Sequence, residues 1–131
     1  MLARSATRSA AFASVAGRRT VVTRAMATKL DSIKETVAKN KVVVYSKTHC
    51  PYCMKAKSSL NQFLQPSQYT VIELDGRADM DEMQDALREL TGARSVPRVF
   101  VGGKFLGGGD DTAAAAANGT LKKLLQEAGA L

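Results

Sequence analysis

The spacing of apolar residues changes repeatedly along this chain, and each change marks a predicted helix or strand. Leu30, Ile33 and Val37 recur at intervals of three and four residues, which predicts a helix over residues 29–39. The run VVVYS at 42–46 is continuously apolar and rich in β-branched residues, which is typical of a strand buried on both faces. The folded part of the chain therefore begins with a helix that is followed by a buried strand.

A second helix and a second strand follow. The helix is predicted from an apolar stripe at helical spacing, formed by Cys53, Ala56, Leu60 and Phe63. Pro66 is predicted to end this helix, because proline cannot continue the helical hydrogen bonding. The sequence YTVIEL at 69–74 predicts the second strand.

The third helix is predicted with both of its ends. Asp79 and Glu82 form a capping-box pattern that is typical of a helix start. Gly92 is predicted to cap the other end. The buried face is predicted to consist of Met80, Met83, Leu87 and Leu90.

The last part of the chain predicts a hairpin and two helical segments. Residues 98–106 contain two apolar runs joined by Gly102 and Gly103, which favours a tight β-hairpin. The sequence GGGDD then leads into an alanine-rich helix, which is interrupted at 118–119 by Asn-Gly before a short amphipathic segment. A strand–helix–strand unit followed by a hairpin predicts an α/β fold, with a small mixed sheet and helices on both faces.

The first residues differ in composition from the rest of the chain. Residues 1–28 hold five arginines and no acidic residue, and they lack the continuous apolar core of a secretory signal. This composition is typical of an organellar transit peptide, with a disordered basic tail as the alternative. We therefore interpret residues 1–26 as a disordered organellar transit peptide and 27–131 as the domain. The composition does not distinguish the two organelles, and of these the chloroplast is favoured over the mitochondrion. A start at Met26 would leave the product in the cytoplasm.

The remaining charge does not indicate a polyanionic partner. The chain carries a net charge of +7, yet residues 29–131 contain 14 basic and 12 acidic residues. No apolar run approaches the ~18 residues that predict a spanning helix. We therefore expect neither nucleic acid nor a membrane as a partner.

Both cysteines stand in the segment KTHCPYC, directly after the first predicted strand. If Cys50 is the N-cap and Pro51 the first helical residue, the absent N–H of proline removes no hydrogen bond. Cys53 then lies one turn further on the same side, close enough for a disulfide. The ring closed by such a disulfide is too short to restrict the unfolded chain appreciably. The spacing therefore favours a redox pair over a structural disulfide.

The two thiols are predicted to differ in reactivity. Free N–H groups and the helix dipole stabilise a thiolate at Cys50, and Lys47 adds a positive charge. Cys53 lies on the apolar stripe and should stay protonated, so the pair combines an attacking and a resolving cysteine. A zinc site needs four ligands, whereas the chain offers these two cysteines and His49. His49 is interpreted as a residue at the rim of the site, and a Cys–His dyad remains an alternative.

Three segments in this order, KTHCPYC at 47–53, SVP at 95–97 and GGGDD at 107–111, resemble those of a dithiol glutaredoxin of the thioredoxin superfamily. The resemblance covers residues 29–131. Thioredoxins typically carry tryptophan before a CGPC centre, and this chain has no tryptophan. The resemblance implies a thioredoxin-like fold, with a four-stranded mixed sheet flanked by helices on both faces.

The resemblance also implies a groove for glutathione between these three segments. Pro97 would be the family's cis-proline, exposing the backbone of Val96 to the glutathione backbone. The glycines would admit the ligand to a helix N-terminus, where Asp110 and Asp111 would cap the helix and accept from the ligand's ammonium group. The implied glutathione-binding residues are Lys47, Tyr52, Arg94, Val96, Pro97, Gly108, Gly109, Asp110 and Asp111.

Two positions depart from the usual family pattern. Ser95 replaces the threonine of a TVP sequence and keeps the hydroxyl. Ala93 replaces a common glutamine and removes one polar contact to the ligand.

The function implied by the resemblance is reduction of protein–glutathione mixed disulfides and protein disulfides. Cys50 would be the nucleophile and Cys53 the resolving thiol. Glutathione would be the cosubstrate, kept reduced by a glutathione reductase system, and no flavin or nicotinamide is expected because GxGxxG is absent. The protein is expected to act as a monomer on glutathionylated or disulfide-bonded proteins. The alternative is an iron–sulfur module, in which Cys50 and glutathione hold a [2Fe–2S] cluster in a dimer; Pro51 stiffens the turn and disfavours it.

Overall fold

A computed structural model describes residues 24–131 of the chain. The elements in this range are α1 (Arg24–Lys39), β1 (Val42–Ser46), α2 (Pro51–Asn61), β2 (Thr70–Glu73), α3 (Met80–Thr91), β3 (Arg98–Val101), β4 (Lys104–Gly107), α4 (Gly109–Asn118) and α5 (Thr120–Glu127). A short 3-10 turn, Pro66–Gln68, precedes β2. Residues 1–23, which make up most of the predicted transit peptide, lie outside the described range.

The four strands form one mixed sheet in the order β2-β1-β3-β4. Strands β1 and β2 are parallel, with Val43 opposite Thr70, because α2 carries the chain back before β2 begins. Strand β3 runs antiparallel to β1 and places Phe100 opposite Val43. The predicted hairpin joins β3 to β4 through Gly102 and Gly103, both with positive φ. The predicted fold class is confirmed.

Side chains of β1 alternate between two apolar layers on opposite faces of the sheet. Val42 and Val44 pack in the layer formed with α2, α4 and α5. Val43 and Tyr45 pack in the layer formed with α1 and α3. All four residues are buried, which explains why the strand reads as a continuous apolar run.

Two helix ends differ from the prediction. Helix α1 begins at Arg24 rather than near residue 29, because Met26 extends the stripe of Leu30 by one turn and packs on the α1–α3 layer. Helix α2 ends at Asn61, before Pro66 rather than at it. The predicted end of α3 at Gly92 is confirmed, with φ +90° in the left-handed region.

Asp79 stands at the start of α3, but its side chain makes no capping hydrogen bond, so the predicted capping box is wrong. The carboxylate instead accepts from Arg77 Nε at 2.7 Å and lies 3.0 Å from Lys29 Nζ. These two cations hold the pKa of Asp79 well below its usual range. Asp79 therefore ties α1 to α3 on one side of the sheet.

We expect Asp79→Asn to lower the free energy of unfolding by about 1 kcal/mol at neutral pH, since these ion pairs are only partly exposed. The stabilisation is present while the carboxyl is ionised in the unfolded chain, and is lost as the pH falls below about 4. Urea unfolding of parent and variant at several pH values measures the difference. Glu35→Gln is the control, because the Glu35–Lys39 pair is largely exposed; an equal loss in both variants would contradict the assignment.

None of the helices between residues 24 and 131 combines the length and the apolar character that a membrane crossing needs.

Candidate active site

The two cysteines occupy the positions predicted from the sequence. Cys50 is the N-cap of α2, with an extended backbone at φ −116° and ψ 114°, and Pro51 is the first helical residue. The N–H of Cys53 donates to Cys50 Sγ at 3.2 Å. This N–H and the N-terminus of α2 both direct positive charge at the Cys50 sulfur, which stabilises a thiolate there.

The environments of the two thiols are unequal. Cys50 is half-buried and its thiol donates to the Val96 carbonyl at 3.8 Å, whereas Cys53 is 0% exposed. Burial, followed by the hydrogen bond with Cys50, raises the pKa of Cys53 to about 11; the Lys47 N–H, 3.5 Å from the sulfur, and the Ser46 hydroxyl oppose the rise. At neutral pH Cys53 is therefore a protonated thiol next to a more accessible one.

The segment before Cys50 is held by a residue that the sequence did not reveal. Asp75, after β2, accepts from the N–H of Thr48 at 3.1 Å and also from the Thr48 hydroxyl. These hydrogen bonds lower the pKa of Asp75, which therefore stays ionised. His49 is exposed beside this contact, where a rim residue was expected.

A groove of about 340 Å³ opens next to the dithiol. Its lining contains seven of the residues implied by the resemblance: Tyr52, Val96, Pro97, Gly108, Gly109, Asp110 and Asp111. The peptide bond between Val96 and Pro97 is cis, as expected. Ser95 and Arg98 complete the lining, and neither was predicted to bind.

Arg98 is a partly buried cation in this groove. Its guanidinium donates to the Pro97 carbonyl at 3.2 Å and to the Ser95 hydroxyl at 3.3 Å. It also lies 5.0 Å from the centre of the Phe105 ring. Burial lowers the pKa of Arg98. The sequence offered one signal for Arg98, its position directly after SVP. Nothing in the sequence pattern showed that its side chain turns toward the groove.

Two predicted residues do not line the groove. Arg94 pairs with Asp85 at 3.3 Å and with Asp81 at 3.8 Å, both on α3. Lys47 contributes its backbone N–H to Cys53, and its side chain is not part of the groove lining. Their roles in binding glutathione stay predictions.

The glycine-rich turn starts α4 at the edge of the groove. Gly108 is the N-cap, and its N–H donates to the Asp111 carboxylate at 3.3 Å, so Asp111 caps the helix as expected. Asp110, which had N-capping as an alternative role, instead pairs with Lys55 of α2 at 2.6 Å. A Cβ at Gly109 would lie 2.5 Å from the Tyr52 carbonyl oxygen, so only glycine lets α4 approach α2 this closely.

A dithiol at a helix N-terminus, facing a cis-proline loop on a four-stranded mixed sheet, defines a thiol oxidoreductase of the thioredoxin-like class. The family model for glutaredoxin matches residues 42–106. A glutaredoxin from Ricinus communis is 52% identical over 98 residues, covering 75% of this chain and 94% of the relative. The rice protein "Glutaredoxin-C4, chloroplastic" is 48% identical, covering 78% of this chain and 75% of the relative. The chain belongs to the glutaredoxin family, whose members are glutathione-dependent thiol–disulfide oxidoreductases.

Solved structures agree with this assignment. Oxidized glutaredoxin 2 from Chlamydomonas reinhardtii superimposes with a TM-score of 0.79 at 69% identity, covering 81% of this chain and 98% of that one. The buckwheat glutaredoxin–glutathione complex superimposes with a TM-score of 0.76 at 39% identity, covering 82% and 96%.

Proposed function

We propose that this protein uses Cys50 to reduce mixed disulfides between proteins and glutathione, and that it also reduces some protein disulfides. The observation that carries the proposal is the unequal dithiol beside a groove. Cys50 accepts the N–H of Cys53 at a helix N-terminus, whereas Cys53 itself is buried and protonated. Such a pair suits a mechanism in which one cysteine attacks as a thiolate and the other, a thiol, can resolve the adduct afterwards.

In the first step the Cys50 thiolate attacks the glutathione sulfur of the mixed disulfide. The bond between the two substrate sulfurs breaks, and the protein substrate leaves as a thiolate. Glutathione is now bound to Cys50 through a new disulfide. The Cys53 N–H and the N-terminus of α2 stabilise the attacking thiolate. The same groups make Cys50 a good leaving group when the Cys50–glutathione disulfide is later broken.

The groove would orient glutathione for this step. The Val96 backbone lies within contact of Cys50, and the free N–H groups at the start of α4 suit a carboxylate. Asp110 and Asp111 would face the ammonium group, and Tyr52 would close one wall. The buckwheat relative, which has been solved as a glutathione complex, supports this use of the groove.

The adduct on Cys50 can be resolved in two ways. In the first, a glutathione thiolate attacks the bound glutathione sulfur, releases Cys50 and leaves glutathione disulfide. In the second, Cys53 loses its proton and attacks the Cys50 sulfur, which expels glutathione and forms the Cys50–Cys53 disulfide. Because Cys53 has a pKa of about 11, its thiolate is scarce at neutral pH, so we expect the first route to dominate when glutathione is abundant.

The second route should depend steeply on pH. Its rate follows the thiolate fraction of Cys53, which burial keeps low at neutral pH, so it should rise with pH between pH 7 and 9. Glutathione release from the purified Cys50–glutathione adduct, measured with no free glutathione present, tests this. A rate independent of pH over that range would mean that the Cys53 proton does not limit the step.

The proposed function is tested by turnover of a small glutathione mixed disulfide with two electron donors. We expect turnover with glutathione and glutathione reductase, and little with thioredoxin reductase alone. Efficient turnover with thioredoxin reductase, without glutathione, would refute the proposed donor.

The iron–sulfur alternative is tested separately. No group of three or more His, Cys, Asp or Glu side chains that could hold a metal occurs in residues 24–131. A cluster would therefore need Cys50 from two chains and the thiols of two glutathiones. Sulfur-to-iron absorption in protein purified anaerobically with glutathione would support this alternative.

We further propose that the protein acts in an organelle, and we favour the chloroplast over the mitochondrion. The support is the arginine-rich, acid-free start of the chain and the rice relative named as chloroplastic. A fluorescent fusion of the intact precursor should enter the organelle. A diffuse cytosolic signal would contradict the proposal.

A further inference from the structure

A polar cluster lies beneath the buried thiol and has no part in the steps above. Ser46, at the end of β1, is 0% exposed; the backbone N–H of the next residue, Lys47, lies 3.5 Å from Cys53 Sγ, and the Ser46 hydroxyl is one of the groups that lower the pKa of Cys53. The Ser46 hydroxyl donates to Glu73 Oε1 at 2.6 Å. Glu73, opposite Ser46 on β2, receives Lys57 Nζ on its other oxygen at 2.7 Å.

The hydroxyl of Ser46 has one hydrogen and therefore one donor role at a time. Its acceptors are Glu73 Oε1 at 2.6 Å and, at the longer distance of 3.3 Å, the Lys47 carbonyl. A hydrogen bond to a carboxylate is charge-assisted, which makes Glu73 the stronger acceptor while Cys53 remains a neutral thiol. A Cys53 thiolate would then keep the Lys47 N–H, 3.5 Å away, and would receive the hydrogen of Ser46 only in competition with Glu73. The negative charge of Glu73 would also oppose a second negative charge nearby.

We propose that Glu73 is a positioning residue that suppresses the Cys53 route by taking the hydrogen of Ser46. This inference rests on the proposed function, because it concerns the Cys50–glutathione adduct. The step affected is the one in which Cys53 gives its proton to solvent, attacks the Cys50 sulfur and breaks the Cys50–glutathione bond, so that glutathione leaves as a thiolate. Glu73 thereby directs the adduct toward resolution by a second glutathione.

Replacing Lys57 provides a control, because it should change glutathione release in the direction opposite to replacing Glu73. The Lys57 ammonium partly neutralises Glu73 and also lies near Tyr69, whose hydroxyl is bound to Asn61. The titratable groups recorded around Cys53 and Ser46 are thus Cys50, Glu73, Lys57 and Tyr69. Removing the positive charge should strengthen the effect of Glu73, whereas removing the negative charge should abolish it.

The test is glutathione release from the purified Cys50–glutathione adduct, followed by intact mass and by free thiol over a range of pH. In Glu73→Gln the amide can donate to Ser46 and free the hydroxyl for Cys53. We expect release about tenfold faster at neutral pH, with the pH profile shifted down by about one unit. Lys57→Gln should be slower than the parent. Adding Ser46→Ala to Glu73→Gln should remove the part of the gain that depends on the Ser46 hydroxyl, and Glu73→Asp, which keeps the carboxylate, should release glutathione as the parent does.

Turnover in a Cys53→Ser background separates this role from general damage. Without the resolving thiol, Glu73→Gln should change turnover with glutathione by less than about twofold. An unchanged or slower release in Glu73→Gln, or equal changes with and without Cys53, would overturn the inference. Failure to form the adduct at all would instead refute the proposed function.

Discussion

Replacing Cys50 by serine should reduce turnover of glutathione mixed disulfides to the background rate, whereas the same replacement at Cys53 should leave it equal or higher. The reason is the unequal placement of the thiols. Cys50 accepts the N–H at the start of α2 and is partly exposed, whereas Cys53 is buried. A serine hydroxyl cannot replace its thiolate as nucleophile or as leaving group. Loss of Cys53 prevents the Cys50–Cys53 disulfide, which competes with turnover of mixed disulfides. The variant should also lose the reduction of protein disulfides that require Cys53 as the resolving thiol.

Alkylation with iodoacetamide at neutral pH gives an independent measurement of the same assignment. Cys50 should react fast in the Cys53→Ser variant, and Cys53, with a pKa of about 11 and no exposed surface, should react slowly in the Cys50→Ser variant. If Cys53 were the faster thiol, or if both variants were inactive, the roles assigned to the two cysteines would be wrong.

Gly109→Ala should be the most damaging single-methyl change in the groove. The added Cβ would lie 2.5 Å from the Tyr52 carbonyl oxygen and 3.1 Å from its Cβ, so α4 and α2 must separate. We expect a loss of about 1–3 kcal/mol in unfolding free energy, as for overpacking in a core. We also expect a higher KM for glutathionylated substrates, because Gly109 and Tyr52 both line the groove and would be displaced.

Gly108→Ala is the matched variant for stability. Its Cβ would meet Arg98 Nη2 at 3.4 Å and the Pro97 carbonyl at 3.5 Å, which are ordinary contacts. Urea unfolding of the two variants should therefore differ by about 1 kcal/mol or more. Similar unfolding free energies for both would show that the approach of α4 to α2 is not limited by Gly109.

Local sequence patterns were sufficient to predict the helices and strands and the position of the dithiol. The position of Cys50 follows from a strand end, an N-cap and Pro51, all within a few residues. The hairpin and the break between α4 and α5 likewise follow from glycines with positive φ at Gly102, Gly103 and Gly119. Such features depend on backbone conformations that few residues other than glycine adopt, so the sequence reveals them directly.

The errors concern residues whose partners are far along the chain. Asp79 looked like a cap because its neighbours fit that pattern, but Lys29 of α1 lies against it in the fold. Arg94, which the resemblance places in the groove, pairs with Asp85 and Asp81 of α3, and its role in binding glutathione stays a prediction. Arg98 was not predicted to line the groove, because only the tertiary structure turns its side chain toward it.

The division of the core into two layers has a consequence for amide hydrogen exchange. Strands β1 and β3 contribute side chains to both layers, whereas each helix belongs to one. Opening of the α1–α3 layer need not disturb the layer packed by α2, the helix that begins at the dithiol, and the reverse also holds. The amides of the two central strands should therefore be protected longest, and local opening of α1 should leave the thiol chemistry intact.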